Sequence, residues 1–319
     1  MKLLSVFLCL LFFISPGQAE EMTLNIVTTN FPCFDLVRSL TGEDAQVEML
    51  LPPGSESHSY EPTPQDIITI QNCDLFVYTG GESDTWIESI LLSMGDKAPK
   101  TFCLVEHVEL LTSEVTESME DHHHNEHGAE CSDPEHLHGE LHSHGMDEHV
   151  WTSPKNMIAL ANALLKKLYE LSPTLSANWQ SKADVYISAL NALDQTFEQI
   201  VSSSSRKLLI FGDRFPARYF AAAYGLTYDA AFPGCSEDSE PSVRTVISLV
   251  DTVREEQIPV VFYIEFSSRR TADILAEETG AIPMLFHSCH NVSAAEIKSG
   301  VTYLSLMHQN AQALKEALK

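Results

Sequence analysis

Short apolar runs of strand length alternate with helix-length amphipathic segments, and the alternation occurs twice. The first series has strands at residues 23–28, 45–51, 74–78 and 101–105, separated by helical spacing at 34–40, 64–71 and 86–94. The second has strands at 207–211, near 227, and at 260–264 and 284–286. Its helical segments lie at 216–224, 243–257, 271–279 and 303–318. Strands that recur at this pace around helices indicate βαβ units and a parallel sheet. Between the two series, helical periodicity runs over 156–171 and again over about 174–202. In the second of these, Trp179, Ala183, Tyr186, Ile187, Leu190, Leu193, Phe197 and Ile200 fall on one helical face. At 1.5 Å per residue that helix is roughly 40 Å long, enough to run the length of a domain. The expected fold is α/β: two Rossmann-like lobes with parallel sheets, at 20–172 and 205–319, joined by a long rigid helix at 173–204. About 300 residues also exceed what one ordinary core serves, which favours two lobes.

Residues 1–19 read as a targeting segment. Lys2 supplies the positive start, 3–14 are apolar, and Gly17-Gln18-Ala19 is a small-residue cleavage site. The apolar run is too short to span a membrane, and Cys9 inside it is a poor lipidation signal. The mature chain is therefore expected to be exported, to the periplasm or the outer face of the cytoplasmic membrane, and monomeric. A formal net charge of −26 argues against nucleic acid and anionic membrane surfaces as partners, and is compatible with cations. Export permits disulfides, and Cys235 with Cys289 is the expected pair because each lies in a loop of the second half beside a segment with metal-ligating residues.

The segment 119–154 carries the strongest chemical signal. Nine of the chain's 14 histidines lie there: His122, His123, His124, His127, His136, His138, His142, His144 and His149. They are interleaved with carboxylates, and no Lys or Arg occurs from 101 to 154. Such a composition cannot bury a core, so 121–148 is expected to be a polar loop. A polar loop alone does not require nine histidines. Imidazole suits Zn, Cu, Ni and Fe, and acidic neighbours attract a dication. His149 stands apart, because Val150 and Trp151 follow it where the loop re-enters the fold.

Other metal-ligating types fall after expected strands, where open α/β sheets bind ligands. His58 follows the second strand in His58-Ser-Tyr-Glu-Pro-Thr-Pro64. Asp213, Glu265 and the pair His287 and His290, in His-Ser-Cys-His, follow strands of the second half. Four nitrogen and oxygen ligands suit tetrahedral Zn²⁺.

Together these residues resemble the metal-specific substrate-binding proteins of zinc/manganese ABC importers, over essentially the whole mature length. The block 58–64, the acidic histidine loop, Asp147-Glu148-His149-Val150-Trp151-Thr152-Ser153-Pro154, Asp74-Leu-Phe-Val-Tyr78 and Tyr303-Leu-Ser-Leu-Met307 carry the resemblance. The histidine loop with His149-Val-Trp151 is typical of the zinc branch. The resemblance implies metal bound in the cleft between the lobes and delivery to the membrane permease subunit of an ABC importer. It implies His58 and His149 as ligands. It puts the third at Asp213, where relatives usually carry His-Asp-Ala-Phe, and the fourth at His287, where they carry a late Asp, with Glu265 and His290 as alternatives. A histidine-rich set favours Zn²⁺ over Mn²⁺, which prefers oxygen.

Two other classes compete. A zinc hydrolase needs an open coordination position and a general base, but the sequence has no His-Glu-x-x-His motif and Glu265 is the one obvious spare carboxylate. A metal buffer acting through the loop alone would not need two α/β lobes. No catalytic residue is expected.

Overall fold

A computed structural model describes residues 23–56, 58–112, 145–233 and 241–319. The targeting segment, most of the histidine loop and Cys235 lie outside the described residues.

The first lobe is built from β1 (Leu24–Thr28), α1 (Phe31–Thr41), β2 (Ala45–Met49), α2 (Pro64–Gln71), β3 (Leu75–Tyr78), α3 (Thr85–Met94) and β4 (Lys100–Cys103). The chain then continues through α4 (Pro154–Leu171) and α5 (Ser176–Ser202). The second lobe has β5 (Leu208–Phe215), α6 (Arg218–Tyr224), β6 (Thr227–Pro233), α7 (Val243–Glu255), β7 (Val260–Tyr263), α8 (Arg270–Thr279), β8 (Ile282–Leu285), α9 (Ala294–Ser299) and α10 (Tyr303–Ala317). Both sheets are parallel, with orders β2-β1-β3-β4 and β6-β5-β7-β8. The two lobes therefore repeat one topology. In each, the order reverses between the first and third strands of the lobe, and the carboxyl ends around that point are where α/β sheets receive ligands. The central strands are buried on both faces, which is why Leu75-Phe76-Val77 and Val260-Val261-Phe262 read as unbroken apolar runs.

Helix α5 buries Trp179, Ala183, Tyr186, Leu190, Leu193, Phe197 and Val201 along one face. It packs on α1 and α4 on one side and on α10 on the other. One apolar cluster consequently runs through both lobes, from Leu36 and Leu160 through Trp151 and Phe197 to Phe220 and Leu314. Polar ties reinforce it. The buried Asp35 carboxylate on α1 accepts the Tyr303 N–H at 2.9 Å, at the first turn of α10, where a negative charge also suits the helix dipole. Arg38 pairs with Asp35 and donates to the Val301 carbonyl. The lobes therefore share one apolar core.

Candidate metal centre

Three chain segments converge at the carboxyl ends of the two sheets. The first is the loop after β2, which carries His58. Asn291, from the loop after β8, donates its side-chain amide to the carbonyls of Pro52 and Ser55, both at 2.9 Å. Gly54 N–H also donates to the Val292 carbonyl at 2.9 Å. The loop bearing His58 is thus held by the opposite lobe.

The second segment is 145–153, where the chain returns from the histidine loop. Met146 bridges Thr112, and Asp147 N–H donates to the Leu111 carbonyl at 2.9 Å. The Tyr219 hydroxyl donates to the Asp147 carbonyl at 2.7 Å. The fully buried Trp151 then anchors the segment: its indole N–H donates to the Ser288 carbonyl at 2.9 Å, and its own carbonyl accepts the Tyr303 hydroxyl at 2.8 Å. These partners fix His149 in the interface between the lobes.

The third segment is 287–292. Cys289 adopts φ +61°, a left-handed conformation uncommon for a residue with a side chain. This reversal separates the directions of His287 and His290.

His58, His149 and His290 meet. Their ligand nitrogens all lie within 4.8 Å of one another, and they form the one metal-competent group of three or more such side chains among the described residues. Ring centroids are 5.8 Å apart for His58 and His149, 5.2 Å for His58 and His290, and 5.5 Å for His149 and His290, with every pair edge-on. Nitrogens bound to one tetrahedral ion at 2.0–2.1 Å sit roughly 3.4 Å apart, so a small rotation of each ring completes the set. The cavity they line is about 30 Å³, also walled by Glu56, Arg214 and Glu265. That is space for one or two water-sized spheres.

The ring environments favour ligation. His149 Nδ1 lies 2.9 Å from Asp147 Oδ1. A carboxylate only accepts, so Nδ1 carries the proton, and in the neutral ring the lone pair is then on Nε2. That Nε2 is buried and has no hydrogen-bond partner among the described residues, an open position of the kind that a cation fills. Burial works against charge on His149, but Asp147, with Glu148 and Glu265, outweighs it and raises its pKa. Burial, then the neighbouring imidazoles, push His290 well below the ordinary histidine value. Burial and then His149 lower His58, against Glu148 and Glu56. Two of the three rings are thereby kept neutral at neutral pH, as a metal ligand must be. The buried carboxylates of Asp147 and Glu148 and the half-buried one of Glu265 lie beside them, a local negative charge that a dication offsets.

The sequence expectation differs from this geometry at two residues. Asp213 lies within β5, in a stretch where the pairing with β6 shifts register, and not in a loop beyond the strand. Its carboxylate is engaged elsewhere, accepting from Arg214 N–H at 2.8 Å, Ile264 N–H at 3.1 Å and the Ser267 hydroxyl, and it lines a neighbouring cavity. His287 does not line the cavity: its Nδ1 accepts the Cys289 N–H at 3.0 Å and lies 3.4 Å from Glu265 Oε1, and its Nε2 is buried without a partner among the described residues. The structure therefore brings His58 and His149 together with His290, and leaves Asp213 and His287 outside that cavity. Of the two alternatives, His290 joins the rings and Glu265 lines the same space. Glu265 accepts from Ser288 N–H at 2.7 Å and from its hydroxyl. Cys289 is buried and joined to no other cysteine among the described residues; the expected Cys235–Cys289 pairing falls on Cys235, which lies outside them. Sequence reasoning also passed over Asn291, Ser288 and Ser83, because nothing distinguishes a loop Ser or Asn until its partners are known.

No helix among the described residues is long and apolar enough to cross a membrane. The profile of the family described as ZnuA, zinc-uptake complex component A, periplasmic, matches residues 26–317. The zinc-binding lipoprotein AdcA of Streptococcus pneumoniae serotype 4 is 30% identical over 318 residues, which cover 99% of this chain and 60% of AdcA. The chain thus spans about 60% of the length of that relative. The high-affinity zinc uptake system protein ZnuA of Bacillus subtilis strain 168 is 30% identical over 309 residues, covering 95% of this chain and 90% of that protein. Among solved structures, the Zn(II)-bound ZnuA-like domain of S. pneumoniae AdcA superposes with a TM-score of 0.73 at 28% identity, covering 93% of this chain and 99% of that one. The metal-dependent lipoprotein YcdH of B. subtilis gives a TM-score of 0.75 at 27% identity, covering 93% and 100%. The matched region takes in both sheets, the connecting helix and all three clustered histidines, and the chain belongs to the zinc-uptake complex component A family.

Proposed function

We propose that this chain captures Zn²⁺ outside the cytoplasm and delivers it to the membrane permease of an ABC importer. The ion is held by His58, His149 and His290, with the Glu265 carboxylate as the fourth ligand. One observation carries the reading: three imidazoles from both lobes converge on a cavity the size of an ion, and one presents a buried, unpartnered nitrogen. Three nitrogens and one carboxylate suit zinc better than manganese. The related AdcA, crystallised with Zn(II), and the B. subtilis zinc-uptake protein support the choice of cargo. The permease is the partner that the family's description as an uptake-complex component supports.

Three imidazoles and the Glu265 carboxylate would fill a tetrahedral zinc shell and leave no open coordination position, which favours a carrier over a hydrolase. Ligands drawn from both lobes would let a bound ion add its binding energy to the arrangement that brings them together. The test is calorimetric. The mature chain should bind one zinc ion tightly apart from any sites in 113–144, and His149→Ala or His290→Ala should each weaken that site at least tenfold. Unchanged affinity in both variants would overturn the assignment.

A further inference from the structure

His58 is the most weakly constrained of the three rings. It lies on a loop, its side chain is 15% exposed, and the Glu148 carboxylate stands 3.8 Å from its Nδ1, too far for a hydrogen bond. Its Nδ1 lies 2.8 Å from the Ser83 hydroxyl oxygen. Ser83 sits in the turn after β3, which Gly80 and Gly81 allow by adopting φ of +83° and +93°. A Cβ at Gly81 would fall 2.6 Å from the Glu148 Cβ, so the turn closes on Glu148 only with glycine there.

Glu148 is 1% exposed and both its carboxylate oxygens are bound by Ser83. Oε2 accepts the backbone N–H at 2.9 Å, and Oε1 accepts the hydroxyl. A serine hydroxyl has one proton, and a carboxylate cannot return one. With that proton committed to Glu148, the Ser83 oxygen accepts, and His58 Nδ1 must donate. The lone pair then resides on Nε2.

We propose that Ser83, oriented by Glu148, is a positioning residue that fixes His58 as its Nδ1–H tautomer and presents Nε2 to the metal. The inference rests on the zinc-carrier reading of the site and adds to it a link between two ligand-bearing segments. Glu148 is the neighbour of His149 in the chain, so one carboxylate ties the His58 ring to the segment of the second ligand. His149 obtains the same tautomer directly from Asp147. His58 obtains it through a hydroxyl. Groups in this position, one bond behind a metal ligand, typically govern 10–100-fold in metal affinity.

Two measurements on the intact mature protein test the idea. The first is ¹⁵N correlation NMR of the His58 ring in metal-free protein at pH 8, which reads the tautomer directly. The wild type should show a protonated Nδ1. Ser83→Ala should give mixed tautomers, and Ser83→Thr, which retains the hydroxyl, should restore the wild-type pattern. In Glu148→Gln the amide can donate to the Ser83 oxygen and release its proton toward His58, so the population should shift to the Nε2–H form. The second is zinc affinity by competition titration: about tenfold weaker for Ser83→Ala, and within about threefold of wild type for Ser83→Thr. A wild-type ring found as the Nε2–H tautomer would overturn the proposal. So would Ser83→Ala that leaves both the tautomer and the affinity unchanged. Failure of the zinc-carrier reading would look different, since the wild type would then lack a tight site while the metal-free tautomer measurement still decided the role of Ser83.

Discussion

Replacing Asn291 with alanine tests whether the cleft depends on a loop being held from across it. The side-chain amide spans the carbonyls of Pro52 and Ser55, and its oxygen accepts the Val292 N–H at 2.8 Å. The two bonds that cross between lobes are worth about 1 kcal/mol each, net of exchange with water. Their loss removes roughly 2 kcal/mol from the arrangement that places His58 beside His149 and His290, leaving the Gly54–Val292 bond as the remaining backbone tie from that loop to 290–292. If the site binds metal only with the loop in place, apparent affinity scales with the fraction of molecules so arranged. A 2 kcal/mol loss bounds the effect at about thirtyfold, and a value between about threefold and thirtyfold is expected for zinc. The assay is competition titration against a chelator of known affinity, with thermal unfolding alongside. The midpoint should fall by several degrees, at about 2–4 °C per kcal/mol for a chain of this size. A lowered midpoint with zinc affinity unchanged within twofold would refute the reasoning, because the tether would then stabilise the fold without supporting the site.

Trp151 lies with ring centroids 5.3 Å from His149 and 4.8 Å from His290, so zinc titration should change tryptophan emission, and the change should disappear in Trp151→Phe. The same variant should lose about 2–3 kcal/mol in denaturant unfolding, since the Ser288 carbonyl loses its donor in a buried site. Asp84 is pushed up to about 7, chiefly by burial, with Glu148 adding to it. A carboxyl whose folded pKa lies above its unfolded value is least costly below about 4 and penalises folding as pH rises through 7. Asp84→Asn should therefore gain stability over wild type between pH 5 and pH 8, by up to a few kcal/mol at about 1.4 kcal/mol per unit. A stability difference between the two proteins that stays flat over this range would contradict the account. Gly212→Ala would place a Cβ 2.6 Å from the backbone N and Cα of Ala272 on α8. That backbone cannot step aside cheaply, so a loss of about 1–3 kcal/mol is expected in the same assay.

The architecture was legible because the signal is periodic. Alternating apolar runs and amphipathic segments located the eight strands to within a few residues, and the face Trp179–Ala183–Tyr186–Leu190 announced the long helix. Boundaries moved where capping decides them. α1 begins at Phe31, ahead of its expected start, because Asn30 caps it and Pro32 preorganises its first turn. α9 went unforeseen because six residues give too short a pattern, although Ser293 and Glu296 form a capping box there. His58 and His149 stood out for their neighbours, a proline-rich turn after a strand and a buried Val-Trp. His287 and His290 are three apart on irregular backbone, where no period indicates facing, and the left-handed Cys289 decides between them. Asp213 looked like a loop residue because Gly212 and Pro216 flank it, yet β5 runs on through it to Phe215. Ser83, Asn291 and Ser288 carry no signal of their own in the sequence. Their roles come from partners 23 to 239 residues away.

The most direct test of the central claim is anomalous diffraction at the zinc absorption edge from crystals of the zinc-loaded protein. The account predicts a peak in the cavity between the lobes, about 2.0–2.2 Å from one nitrogen each of His58, His149 and His290 and from an oxygen of Glu265. A peak coordinated by Asp213 or His287, with the three clustered imidazoles left unbound, would contradict it.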